Sequence, residues 1–182
     1  MRFKSLNPAN KSIGVKLSLW YAGFFILSVC LLFGLAYFFL QETLERDDRE
    51  AIRSQIEEMS RVYALGGMEA VEEELKAGKK YRKRSPFFFR FATGDNTTRR
   101  VFFPGQWEEF RVSKLQVVDP ASREWIRVPS ERAEAGYRLE VASARLPDES
   151  WLQVGMSTEE RQRVLSRFLE SFLYVMGFLF IT

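Results

Sequence analysis

The sequence predicts an α+β protein carried on a membrane helix. Three observations lead there. Residues 17–40 carry no charge. The next stretch, to residue 65, places its apolar side chains on one helical stripe. From Phe87 onward the apolar period shortens to two, the period of a strand.

The uncharged run reads LSLWYAGFFILSVCLLFGLAYFFL, 24 residues. As a helix it reaches roughly 36 Å. That exceeds a bilayer core of about 30 Å and leaves room for tilt. A cleaved signal sequence would have an apolar stretch of about 7–15 residues ending in small side chains. This run ends in Tyr37, Phe38, Phe39 and Leu40. A buried helix of a soluble protein seldom avoids every charge for so long. Arg2, Lys4, Lys11 and Lys16 precede the run with no acid among them. The positive-inside rule therefore predicts a cytoplasmic tail, 1–16, with Trp20 and Tyr21 near that interface. The formal net charge of +3 belongs to this tail, so the main domain gives no signal for nucleic acid. Cys30 is the single cysteine and lies in the apolar run. No intramolecular disulfide can form, which is compatible with a bacterial periplasm.

The helix is expected to continue past Leu40, because no Gly or Pro interrupts it before Gly66 and Gly67. Leu44, Ile52, Ile56, Met59 and Tyr63 recur at helical spacing. Near 52–63 this stripe is expected to pack on the domain's own sheet. Near Leu44 it is expected to form a dimer seam with a second copy. Gly66 and Gly67 should break the helix. A shorter one, 68–77, follows and ends at Gly78 as a C′ residue. Lys79, Lys80, Arg82, Lys83 and Arg84 then crowd into a basic loop stopped by Pro86. Two readings stand. The cluster contacts an anionic ligand or lipid head groups, or it is a solvated loop balanced by Glu72, Glu73 and Glu74.

FFFRFA puts Phe87, Phe89 and Phe91 on one face of a strand. Gly94, Asp95 and Asn96 read as a turn and 98–103 as the returning strand. Short extended pieces are expected over 106–136, with a middle strand at 125–128. Tyr137, Leu139 and Val141 alternate along the next strand, and Leu152, Val154 and Met156 along the last. Two helices followed by a meandering antiparallel sheet give the α+β class. Ser157 and Glu160 have the spacing of a capping box that opens a final helix. Its end, 172–182, is uncharged but only 11 residues long. At roughly 16 Å it is too short to span. The expectation is a second transmembrane helix cut in mid-course; the alternative is a complete protein ending in an interfacial helix.

Histidine is absent, which removes histidine-based triads, most zinc sites and any phosphoacceptor histidine. Neither a P-loop nor a dinucleotide fingerprint occurs. No catalytic, cofactor or metal residue is predicted in this chain.

The order of parts resembles the sensory end of a bacterial two-component sensor histidine kinase. Two flanks carry the likeness. SIGVKLSLWYAGFFILSVCLLFGLAYFFL is similar to the first membrane segment of such kinases. RLPDESWLQVGMSTEERQRVLSRF is similar to their exit stretch, where a last strand ends in V-G and S-x-E-E-R starts the second membrane helix. The resemblance implies a PAS-like sheet, a periplasmic or extracellular sensor domain over 41–157, a juxtamembrane helix over 158–171 and insertion in the bacterial inner membrane. It implies a homodimer, an extracytoplasmic ligand or protein as stimulus, and a response regulator reached through a kinase portion. ATP and Mg would bind only in that portion, beyond a HAMP linker, so no kinase residue is carried over here. Gly155 and Ser157 would then be the signal-coupling hinge and cap, with Glu160 completing the cap. Chemotaxis receptors and membrane-bound cyclases share this input layout, and a membrane-tethered binding or assembly protein is the competing class.

Overall fold

The computed structural model describes residues 8–81, 87–102, 110, 115, 125–130 and 136–181, with side chains for 14–77 and up to 178. Helix α1, Pro8–Tyr81, runs from the tail through the apolar segment and out along the domain. Among the described residues it is the one helix long and apolar enough to cross a membrane. Its apolar segment leaves Trp20, Phe24, Leu32 and Phe39 exposed, as a lipid-facing surface requires.

At Gly67 the backbone turns to φ 64°, ψ −152°, a region essentially open to glycine alone. The chain bends there, and Val71 beyond the bend is buried in the same core as Ile52 and Met59 before it. The expected end at Gly78 is not found: the helix passes through it to Tyr81. An interior glycine costs a helix only about 1 kcal/mol, which does not force a stop. Lys79 and Lys80 are thus on helical backbone, while Arg82, Lys83 and Arg84 lie outside the described residues.

The sheet has five antiparallel strands: β1 Phe87–Ala92, β2 Thr98–Phe102, β3 Ile126–Pro129, β4 Arg138–Arg145 and β5 Trp151–Ser157. Their order is β2-β1-β5-β4-β3, so it is not the simple meander expected. The first and last strands lie side by side at the centre. Composition explains this. Strand β1 carries phenylalanines on both faces and is nearly all buried, so it cannot serve as an edge. TRRVF and IRVP, with their arginines and Pro129, take the edges, where charge and proline are tolerated.

The sheet is covered on both faces. On one, Phe89, Phe91, Leu152 and Val154 pack against Ile52, Met59 and Val71 of α1. On the other, Phe88, Leu139 and Val141 gather with Phe110, Leu115 and Val128. Helix α2, Glu159–Ile181, follows β5 directly.

Candidate functional site

Only Thr158 separates the end of β5 from the first turn of α2. Its N–H donates to the Arg138 carbonyl at 2.9 Å. Its hydroxyl accepts the Arg138 N–H at 3.0 Å. Its own carbonyl accepts the Gln162 N–H at 2.9 Å. One buried residue therefore ends the β4–β5 ladder and opens the helix. The Ser157 hydroxyl accepts the Glu159 N–H at 3.2 Å, satisfying one orphan donor of the first turn. Glu160 pairs with Arg163 instead of reaching back.

Gly155 sits in β5 beneath β4. A Cβ there would lie 2.8 Å from Val141 Cγ2 and 3.1 Å from both Leu139 Cδ1 and the Glu140 carbonyl. The glycine is required by close approach of packed side chains, and its neighbours close over it.

Immediately beyond, α1, the sheet and α2 meet in a group of charges. Arg161 of α2 donates to Glu140 Oε1 of β4 at 3.0 Å, both side chains being almost fully buried. A second nitrogen of Arg161 lies 3.3 Å from Asp48 Oδ2 on α1. Arg127 of β3 lies 3.7 Å from both Glu140 and Glu45, and Arg49 pairs with Glu45 along α1. The cross-strand register puts Arg127 opposite Glu140, so both face the helices. Burial pushes the Asp48 carboxyl up to about 6. Arg161 opposes that rise, while Glu140, Asp47 and Glu45 add to it.

The two helices stay together below this joint. Phe33 of α1 lies 5.9 Å from Phe168 and 4.6 Å from Phe172 of α2, and Tyr37 lies 6.3 Å from Phe168. These pairings run in opposite directions along the two chains, so α2 returns antiparallel to α1 toward its apolar segment. The contact stripe on α2 is Arg161, Leu165, Phe168 and Phe172, spaced by four, three and four. Leu44 is half-buried on α1 between Tyr37 and Asp48, on the side those two residues turn to α2.

A second tie holds α1 to the far end of the sheet. Tyr63 stacks on Phe91 at 6.0 Å and donates its hydroxyl to Asp148 at 2.7 Å. Asp148 in turn accepts from the Ser150 N–H and hydroxyl in the β4–β5 turn. On the opposite face Arg90 is buried, and among the described residues none of its partners is a carboxylate. It donates to Thr98, Gln153, the Leu115 carbonyl and Asn96, locking the β1–β2 turn and the segment at Leu115 to the sheet.

Among the described residues no group of acids or sulfur ligands could hold a metal ion. The joint ties α1, the sheet and α2 together through hydrogen bonds and ion pairs. Of the residues singled out in sequence, Gly155, Ser157 and Glu160 surround it. The residues that form it, Asp48, Glu140, Thr158 and Arg161, were not singled out. One signal was present: in RLEVASAR, Glu140 shares its face with two alanines, so a helix packed there buries it and a neighbouring element must supply a cation, as Arg161 and Arg127 do. Comparison with protein-family models, with curated proteins and with solved structures returned no match.

Proposed function

We propose that this chain is the sensing module of a membrane-bound two-component sensor histidine kinase, with its N-terminus cytoplasmic and residues 41–171 periplasmic or extracellular. The chain combines a membrane helix with a small α+β domain, the parts that a generic extracytoplasmic sensor needs. One observation carries the relay: β5 passes through a single clamped residue into α2, and α2 then returns along the apolar segment of α1. A displacement of the central strand is transmitted to α2 because no flexible linker absorbs it. The antiparallel sheet under a helical cover supports the PAS-like reading. The resemblance of the two flanks supports the kinase reading, with two copies pairing as a homodimer and a response regulator downstream. ATP and Mg would belong to a kinase portion outside these residues. The basic cluster at 79–84 is proposed as a contact for anions or lipid head groups.

Residues 1–181 grafted in place of the input segment of a well-behaved membrane histidine kinase should give a membrane-inserted chimera with regulated autophosphorylation. Arg161→Ala should shift its basal output several-fold. Output identical for the parent and the variant, both inserted and folded, would sink the relay.

A further inference from the structure

We infer that the joint is a proton-responsive latch, in which protonation of Asp48 frees α1 from Arg161 while Arg161 stays on Glu140. This rests on the relay reading for its consequence, but the latch itself stands on geometry. Among the described residues the charged groups around Asp48 are Glu45, Asp47 and Arg49 on its own helix, Arg127 of β3, Glu140 of β4 and Arg161 of α2. Among the described residues this group holds four carboxylates, Asp48 included, and three guanidiniums, so one proton balances it.

The compensation is uneven. Glu45 lies near Arg49 and Arg127, and Glu140 near Arg127 and Arg161. Among the described residues Asp48 has Arg161 alone, at 3.3 Å, and neither Asp48 Oδ2 nor that Arg161 nitrogen makes a hydrogen bond there, although both atoms are buried. The proton therefore goes to Asp48, the carboxylate with the least support. A buried ion pair with poor hydrogen-bond geometry does not repay its desolvation, and the carboxyl held up near 6 agrees with that.

Among the described residues Arg161–Asp48 is the one ion pair that joins α1 to α2. Neutralising Asp48 removes that cross-link and leaves the sheet-to-α2 link, Glu140–Arg161, in place. Helix α2 then stays with the sheet, and at the joint it is free to shift against α1, while the Phe33, Tyr37, Phe168 and Phe172 contacts still hold the two helices together below. Shifts of packed helices in switching proteins are about 1–2 Å. The stimulus class this assigns is acidification of the compartment that holds the domain.

The test uses the 182-residue chain in lipid nanodiscs, carrying Cys30→Ser and spin labels at the exposed positions Glu50 and Val164. Difference infrared spectra from about pH 8 to about pH 4 should show a carboxyl protonating with a midpoint near 6. The same midpoint should govern a change in the inter-label distance. Asp48→Asn should abolish the midpoint and hold the acid distance throughout. Glu45→Gln removes a neighbouring charge and should keep the transition but move it to lower pH. An Asp48 midpoint at the ordinary carboxylate value, or protonation without a change in distance, would overturn the latch. Either result leaves the relay standing if the Arg161→Ala chimera still shifts its output.

Discussion

Thr158 and Arg138 are bound to each other twice, by the Thr158 N–H to the Arg138 carbonyl and by the Arg138 N–H to the Thr158 hydroxyl. Because Thr158 also accepts the first turn of α2, the sheet and the helix share a residue. A hinge would need slack at this point, and the hydrogen bonds leave little.

Thr158→Val keeps the shape of the side chain and removes the acceptor, leaving the Arg138 N–H unsatisfied. The bond is part-buried, and losing one of this kind costs about 0.5–1.5 kcal/mol. Denaturant unfolding in detergent should show a loss of that size, with Thr158→Ser recovering most of it. Full stability in the valine variant would mean that the second bond does not clamp the joint.

Gly155→Ala tests whether that position is a hinge or a packing site. An added methyl meets Val141 at 2.8 Å, and overpacking a well-filled core costs about 1–3 kcal/mol. Thermal unfolding should reveal the loss. An alanine variant as stable as the parent but altered in chimera output would favour the hinge.

Gly67→Ala forces a side chain into a conformation that L-residues avoid. Strain of about 1–3 kcal/mol is expected, read as a lower midpoint of unfolding. The same change at Gly14, which has open space and lies in unbroken helix, should be neutral or slightly stabilising.

Asp48 sets a pH slope whose sign is opposite to that of a normally paired carboxylate. Its folded value, about 6, lies above the ordinary aspartate value of 3.8. Ionised Asp48 therefore lowers stability at neutral pH. As pH falls from 7 through 6 toward 4 the folded state takes up a proton that the unfolded state does not, and stability rises. Asp48→Asn should flatten this part of the Tm-against-pH curve. An unchanged slope in the variant would assign it to another group.

Arg90→Leu deletes the hub that holds Thr98, Asn96, Gln153 and the Leu115 carbonyl. Breaking a buried network of this kind costs about 3 kcal/mol or more. Hydrogen exchange should speed up at the β1–β2 turn and at Leu115, while the α1 core around Ile52 keeps its protection.

The sequence by itself determined the elements of this protein. Charge-free length marked the membrane helix, and the period of the apolar residues separated α1 from the strands. The faces of β1, β4 and β5 were legible because alternation shows which residues share a side: Phe89 with Phe91, Leu139 with Val141, Leu152 with Val154. These are local properties, fixed by backbone geometry over a few residues. Tertiary structure alone decided the strand order and the joint. β1 and β5 are neighbours across more than fifty residues of chain, because both strands are buried on both faces and pair their own buried polar groups, Arg90 and Gln153, with each other. Asp48, Glu140 and Arg161 come from three distant elements. Each reads alone as an ordinary surface charge, and only their shared burial gives them partners and makes Asp48 the weak member of the group.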